Sequence, residues 1–178
     1  MSSPCDPKYA PVGDVGVAIL AIDSRLKSIY DGPTGTDSEQ QRLTDQFTAS
    51  MEPEEAFEVV DGACTLVYVF MQWLRQTYEA HDRDVIEYVV PSLVGSMRMM
   101  TRSVRPEVIP TMAGLVISAG IGLSPTLWRK QYGDWAPDEL TALEATALLL
   151  AEHINRLTDD HDFATRMVTE ALSAADHE

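Results

Sequence analysis

Apolar residues recur at helical spacing along almost the whole chain. Within 14–30 they follow one another at steps of four and three, which places them on a single helix face. These residues are Val15, Ile19, Ile22, Leu26 and Ile29. The composition of DGPTGT (31–36) predicts a turn. We therefore expect a first helix over 14–30 that ends at this turn.

A second, short helix is predicted after the turn. Thr36 stands three residues before Glu39, which is the spacing of a capping box. Leu43 and Phe47 then follow at helical spacing. The pattern predicts a short helix that extends through Phe47.

The strongest helix signal begins at Pro53. Proline suits the first helical turn, and Glu54 and Glu55 complement the positive end of the helix dipole. Two adjacent apolar rows then run along 57–78. One row is Phe57, Val60, Cys64, Val67, Met71, Leu74 and Tyr78, and the other is Val59, Ala63, Leu66, Phe70 and Trp73. A face this wide must be buried within the domain, across a dimer interface, or both.

Two further segments follow, over 85–102 and 106–123. Pro91 lies inside the first, so we expect a kink or a break there. The second is apolar nearly all round, which predicts a central position. Its small residues, Gly114, Ser118 and Gly122, recur every four residues and form a ridge that another helix backbone could approach closely. A strand over Leu115–Ile121 is the alternative, but no other segment offers a strand to pair with it.

The remaining pattern completes an all-α fold. A short helical piece carries Trp128 and Tyr132, and longer helices are predicted over 137–157 and about 162–175. The expected architecture is a single-domain helical bundle of about seven or eight helices. Its central apolar helices are 53–80, 106–123 and 137–157. Residues 1–13 are predicted to be a flexible N-terminal segment, and residues 14–178 the single domain.

Composition narrows the classes of function. The chain has 13 Lys and Arg against 28 Asp and Glu, a formal net charge of −15. Because this charge repels phosphates and anionic lipid, we expect neither nucleic acid nor a membrane as partner. The 2 cysteines are too few for a disulfide framework, and MSSPCDPKY lacks the regions of a signal peptide. We expect a reduced, cytoplasmic protein.

Two His-Asp pairs, His81-Asp82 and His161-Asp162, raise the hypothesis of a metal-dependent phosphohydrolase that also uses His153. Such a site needs three or four ligands that converge on one ion. The favoured interpretation is that the aspartates of these turns cap the helices that follow, because Asp is a preferred N-cap residue. We therefore predict no catalytic residue, no metal ligand and no cofactor.

The positive charge is concentrated in one region, which we call the basic island. Between 98 and 130 the chain carries Arg98, Arg102, Arg105, Arg129 and Lys130 but only one acid, Glu107, a net charge of +4. The first three arginines are spaced as if on one helix flank, where they could bind an anion bidentately. Alternatively, they complement a helix dipole, cover apolar surface or pair with acids of the same protein. Candidate ligand-binding residues are Arg98, Arg102, Arg105 and Trp128.

These features favour a non-catalytic protein that acts through protein–protein association, as a homodimer or with another protein. A second hypothesis is a helical protein that binds a small apolar or anionic molecule. Its pocket would lie among 57–78, 112–123 and 137–157, gated by Arg102 or Arg105. The metal-dependent phosphohydrolase is the third.

Overall fold

The described part of the protein has an all-α fold. A computed structural model describes residues 4–31 and 53–176. Those residues contain no strand. The α-helices are α1 (Val15–Asp31), α2 (Pro53–Glu79), α3 (Val85–Met99), α4 (Ile109–Gly120), α5 (Pro125–Lys130), α6 (Pro137–Thr158) and α7 (Phe163–Asp176), with 3-10 turns at Pro7–Tyr9 and Pro106–Val108. The all-α bundle is confirmed, and the alternative strand over Leu115–Ile121 is wrong. The short helix predicted through Phe47 lies outside the described residues.

Helix α2 runs through the centre of the bundle, where it packs against α1, α4 and α6. Leu66, Phe70 and Leu74 are completely buried. Burying such a side chain contributes roughly 1.5–3 kcal/mol. Most described positions of the wide apolar face predicted for this helix are therefore covered by other helices of the same chain.

Helix α3 begins directly after the predicted cap residue Asp84 and ends before the predicted residue 102. The Asp84 carboxylate accepts a hydrogen bond from the Ile86 N–H at 2.9 Å. The helix continues past the exposed Pro91, so the predicted break does not occur. It ends at Met99 rather than at 102 because the chain turns at Met100, whose carbonyl accepts hydrogen bonds from the N–H groups of Ser103 and Val104.

Residues 4–13 lie against the domain. Cys5 is buried, and its carbonyl accepts a hydrogen bond from the Ser124 N–H at 2.8 Å. The Thr65 hydroxyl donates to the Val12 carbonyl at 2.8 Å. These contacts do not test the domain boundary at residue 13 or the flexibility of 1–13, both of which stay predictions.

Candidate functional site

Helix α4 presents an apolar stripe to solvent. We define the α4 face as Pro110, Ala113, Gly114, Ile117 and Ile121, which recur at helical spacing. Ile121 is 54% exposed and Ile117 is 37% exposed. None of these five residues has a polar side chain. The exposed Leu20 on α1, by contrast, has the exposed polar residues Ser24 and Lys27 one and two turns further along.

The opposite side of α4 is part of the core. Met112, Leu115, Val116 and Ala119 are fully buried there, so the helix is apolar around most of its circumference, with Thr111 and Ser118 as its two polar residues. A helix with this pattern is normally buried on all sides, whereas a surface helix carries polar residues on its outer face. The α4 face therefore departs from the usual pattern of a surface helix.

The small residues of α4 have three separate roles. Gly114 makes room for the Trp128 ring, and Ser118 is buried and donates to the Leu115 carbonyl of its own helix at 2.8 Å. Gly122 has a φ of +91°, a left-handed conformation that favours glycine beyond the end of the helix. They do not form the single ridge for a neighbouring helix that their spacing predicts.

Helices α3 and α5 border the α4 face on its two sides. Helix α3 runs antiparallel to α4: a Cβ atom on Gly120 would lie 3.3 Å from Cγ1 of Ile86, and residues 100–108 return the chain to the start of α4. On the other side, the Trp128 ring covers Gly114. Tyr132 is 65% exposed and its ring lies 5.1 Å from that of Trp128.

Exposed basic residues lie at the N-terminal end of the α4 face. Arg98 is in the last turn of α3, and Arg102 and Arg105 follow in the connection to α4. Arg105 also forms an ion pair at 3.4 Å with Asp138, and both side chains are largely exposed. Glu107, in the turn before α4, is an exposed acid at the same end, so the three arginines leave a small net positive charge there.

Acidic residues predominate at the C-terminal end. An open groove of about 510 Å³ lies there, and its lining includes Ile121 together with Arg75, Glu79, Asp82, Arg83 and Asp84. Arg75 forms an ion pair with Glu79 at 3.0 Å, and the Arg83 guanidinium lies over the Tyr88 ring. Glu87, in the first turn of α3, adds another exposed acid. The α4 face therefore runs from a basic end to an acidic end.

The predicted ligand-binding residues do not share one helix. Because α3 ends at Met99, Arg98 is helical but Arg102 and Arg105 are not, and the predicted common helix flank is wrong. Trp128 packs against α4 instead, with its ring over Gly114. Binding of an anion by Arg98, Arg102, Arg105 and Trp128 stays a prediction.

Arg129, another member of the basic island, is a buried structural residue. Its guanidinium donates to both carboxylate oxygens of Glu139, at 2.6 and 3.1 Å, and to the carbonyls of Gly133 and Asp134 at 2.9 and 3.0 Å. It also lies over the Trp135 ring. Burial alone would raise the pKa of Glu139, but the hydrogen bonds from Arg129 and from the Ala136 N–H lower it. This network fixes the start of α6 against α5.

His153 and His161 each contact a tyrosine ring. The Tyr78 hydroxyl lies 3.1 Å from Nε2 of His153, beside a cavity of about 10 Å³ between α3 and α6, room for roughly one water molecule. Burial and the nearby Arg156 lower the pKa of His153. His161 stacks on Tyr30, with ring centroids 3.9 Å apart.

In each of the two His-Asp turns, one aspartate side chain accepts a hydrogen bond from a backbone N–H group. Asp84 caps α3, and the Asp160 carboxylate accepts a hydrogen bond from the Asp162 N–H at 3.0 Å, in the turn before α7. Asp82 and Asp159 adopt left-handed backbone conformations. Within 4–31 and 53–176, no group of three or more His, Cys, Asp or Glu residues could hold a metal ion.

The helices predicted to enclose a small-molecule pocket pack apolar side chains against one another, and the pocket itself stays a prediction. Between α2, α4 and α6, the side chains of Phe70, Met112, Leu115 and Leu150 are completely buried. Cys64 is also fully buried on α2, and burial raises the pKa of its thiol to about 12. The thiolate is the reactive form of cysteine, so Cys64 is not a nucleophile near neutral pH.

Comparisons with protein families, with curated proteins and with solved structures find no match to this chain. Among the described helices, none combines the length and the apolar character needed to cross a membrane.

Proposed function

We propose that this chain is a non-catalytic helical protein that acts through protein–protein association, and that it associates through the α4 face. The observation that carries the proposal is the apolar stripe of Pro110, Ala113, Gly114, Ile117 and Ile121, in which Pro110, Ile117 and Ile121 are exposed to solvent and no side chain is polar. Covering such a stripe is favourable by roughly 25 cal/mol for each Å² of apolar surface removed from water.

The α4 face alone is too small to form a stable protein–protein interface. A helix as long as α4 extends about 18 Å and is about 10 Å wide, so the stripe alone covers roughly 200 Å². A standard protein–protein interface buries about 800 Å² on each partner. The neighbouring side chains of α3 and α5 must therefore contribute, and the half-buried Val94 and exposed Tyr132 are placed to do so.

We place this association in the cytoplasm. The chain has only 2 cysteines, too few for the disulfide framework of a small secreted domain. This supports a reducing compartment, where disulfides are rare.

Site-specific photocrosslinking tests the proposal. A benzophenone amino acid replaces Ile117 in cells that express the chain. The matched control carries it at Leu20, which is also apolar and exposed but lies among polar neighbours. We expect a discrete crosslinked product from position 117 and none from position 20. Equal, diffuse labelling from both positions would remove the α4 face as the binding surface.

A further inference from the structure

We infer that the occupant of the α4 face is a second copy of this chain, bound with the two α4 helices antiparallel around a two-fold axis. This inference rests on the proposed function and names its partner. Two-fold contacts are the commonest in homo-oligomers, and they place the same patch of both subunits face to face.

The distribution of charge supports the antiparallel arrangement. Arg98 lies beside the N-terminal end of α4, and Glu87 lies beside its C-terminal end, because α3 and α4 are antiparallel. Both residues are exposed. They lie on one flank of α3, about 16 Å apart along the helix. Rotation about a two-fold axis at the middle of the α4 face brings Arg98 of each copy toward Glu87 of the other.

A parallel arrangement would do the opposite. It would place Arg98 and Arg102 of both copies at one end of the interface and Glu79, Asp82 and Glu87 of both copies at the other. Like charges placed opposite one another across an interface are unfavourable. The polarity of the surface therefore selects one orientation of the two copies.

The shape of the α4 face fits the same geometry. Its middle consists of the small Ala113 and the larger Ile117, because the neighbouring Gly114 is covered by the Trp128 ring. In an antiparallel pair, Ile117 of each copy lies over Ala113 of its partner. A small residue at the crossing point lets the helix axes approach to the short end of the usual 8–10 Å range.

The overall charge keeps the complex weak. Each copy carries a formal net charge of −15, so two copies repel one another at long range. With a modest apolar area as well, we expect a dissociation constant on the order of micromolar rather than nanomolar.

Charge reversal tests the inference with its own controls. Dimerisation is measured by analytical ultracentrifugation over a wide range of concentrations. We expect wild type to dimerise, Arg98→Glu and Glu87→Arg each to weaken the dimer about tenfold or more, and Leu20→Glu to leave it unchanged. Mixing the Arg98→Glu and Glu87→Arg chains must restore association, because both cross-subunit pairs are then opposite in charge. Thermal unfolding verifies that each variant is folded.

The outcomes separate this inference from the proposed function. If wild type remains monomeric while position 117 crosslinks to a different protein, the self-association is wrong and the proposed function stands. If the single reversals weaken the dimer but the mixture does not restore it, the antiparallel arrangement is wrong. If position 117 crosslinks to nothing, both fail.

Discussion

The ring of Trp128 occupies the space where a side chain on Gly114 would begin. A Cβ atom on Gly114 would lie 2.4 Å from Cη2 of Trp128, closer than real Cβ contacts allow. The ring belongs to α5 and the glycine to α4, so this contact sets how closely the two helices pack. It also leaves Trp128 beneath Tyr132 at the border of the α4 face.

Gly114→Ala is therefore expected to destabilise the protein by about 1–3 kcal/mol, because either the ring or a helix must move. The matched control is Gly95→Ala. Gly95 is also inside a helix, but a Cβ atom there meets nothing within 4 Å. Alanine at that position should stabilise the helix by about 0.5–1 kcal/mol. Urea unfolding of the two variants measures the difference, and equal effects would show that the Trp128 contact is not tight.

The Arg129–Glu139 pair should be the most important ion pair for stability. Their side chains are 5% and 12% exposed. Glu139→Gln leaves the buried guanidinium without its counter-charge, which is expected to cost about 3 kcal/mol of unfolding free energy. Asp138→Asn, at the neighbouring position, removes an exposed pair and should cost under about 1 kcal/mol. Similar losses in both variants would contradict the structural role of Arg129.

The Arg129–Glu139 pair should make the free energy of unfolding depend on pH. The pKa of Glu139 is lower in the folded chain than its ordinary value of 4.5. The unfolded chain therefore takes up the proton first as the pH falls. The stability that Glu139 contributes is fully present above about pH 4.5 and is lost as the pH falls through the lower, folded value. The gap in unfolding free energy between wild type and Glu139→Gln should shrink over that range.

The helices could be predicted because their signals are local. The apolar spacing of α1 and α2, Pro53 and Pro137 at helix starts, and the Asp84 cap lie within a few residues of the structure they specify. The end of α3 could not be predicted in this way. Its apolar row continues through Met100 and Val104, but the chain turns at Met100.

The candidate site depended on tertiary contacts that the sequence does not show. Arg98, Arg105 and Arg129 all belong to the basic island, but Arg98 is exposed, Arg105 pairs at the surface and Arg129 is buried on Glu139. The burial of Arg129 depends on the packing of α5 against the start of α6, which the sequence does not show. Likewise, the apolar pattern of α4 predicts a buried helix. Only the fold shows that one side of this helix reaches solvent.

The Asn155 side chain should contribute strongly to the stability of the turn between α6 and α7. Its side chain is 1% exposed and accepts a hydrogen bond from the Ala164 N–H at 2.9 Å. It also donates to the His161 carbonyl at 2.9 Å and lies 3.2 Å from the Tyr30 hydroxyl. Asn155→Ala removes the partners of the Ala164 and His161 groups, with an expected loss of about 2–4 kcal/mol.

Thr158→Ala is the control for Asn155. The Thr158 hydroxyl bonds to carbonyls of its own helix, Ile154 and Asn155, which already take part in helical hydrogen bonding. Its loss should cost no more than about 1 kcal/mol. Chemical unfolding at neutral pH compares the two variants. A loss for Asn155→Ala that is no larger than that for Thr158→Ala would show that the α6–α7 turn does not depend on this amide.

His153 should make the protein less stable as the solution becomes mildly acidic. Burial and Arg156 lower its pKa in the folded chain below the ordinary value of 6.5, so the unfolded chain binds a proton more readily. Stability is therefore highest above about pH 6.5 and falls as the pH drops toward the folded pKa. His153→Gln removes this contribution and should flatten the curve, whereas Tyr78→Phe removes the hydroxyl but keeps the titration. NMR titration of the His153 ring checks the direction, and a folded pKa above 6.5 would show that the imidazolium is stabilised in this position.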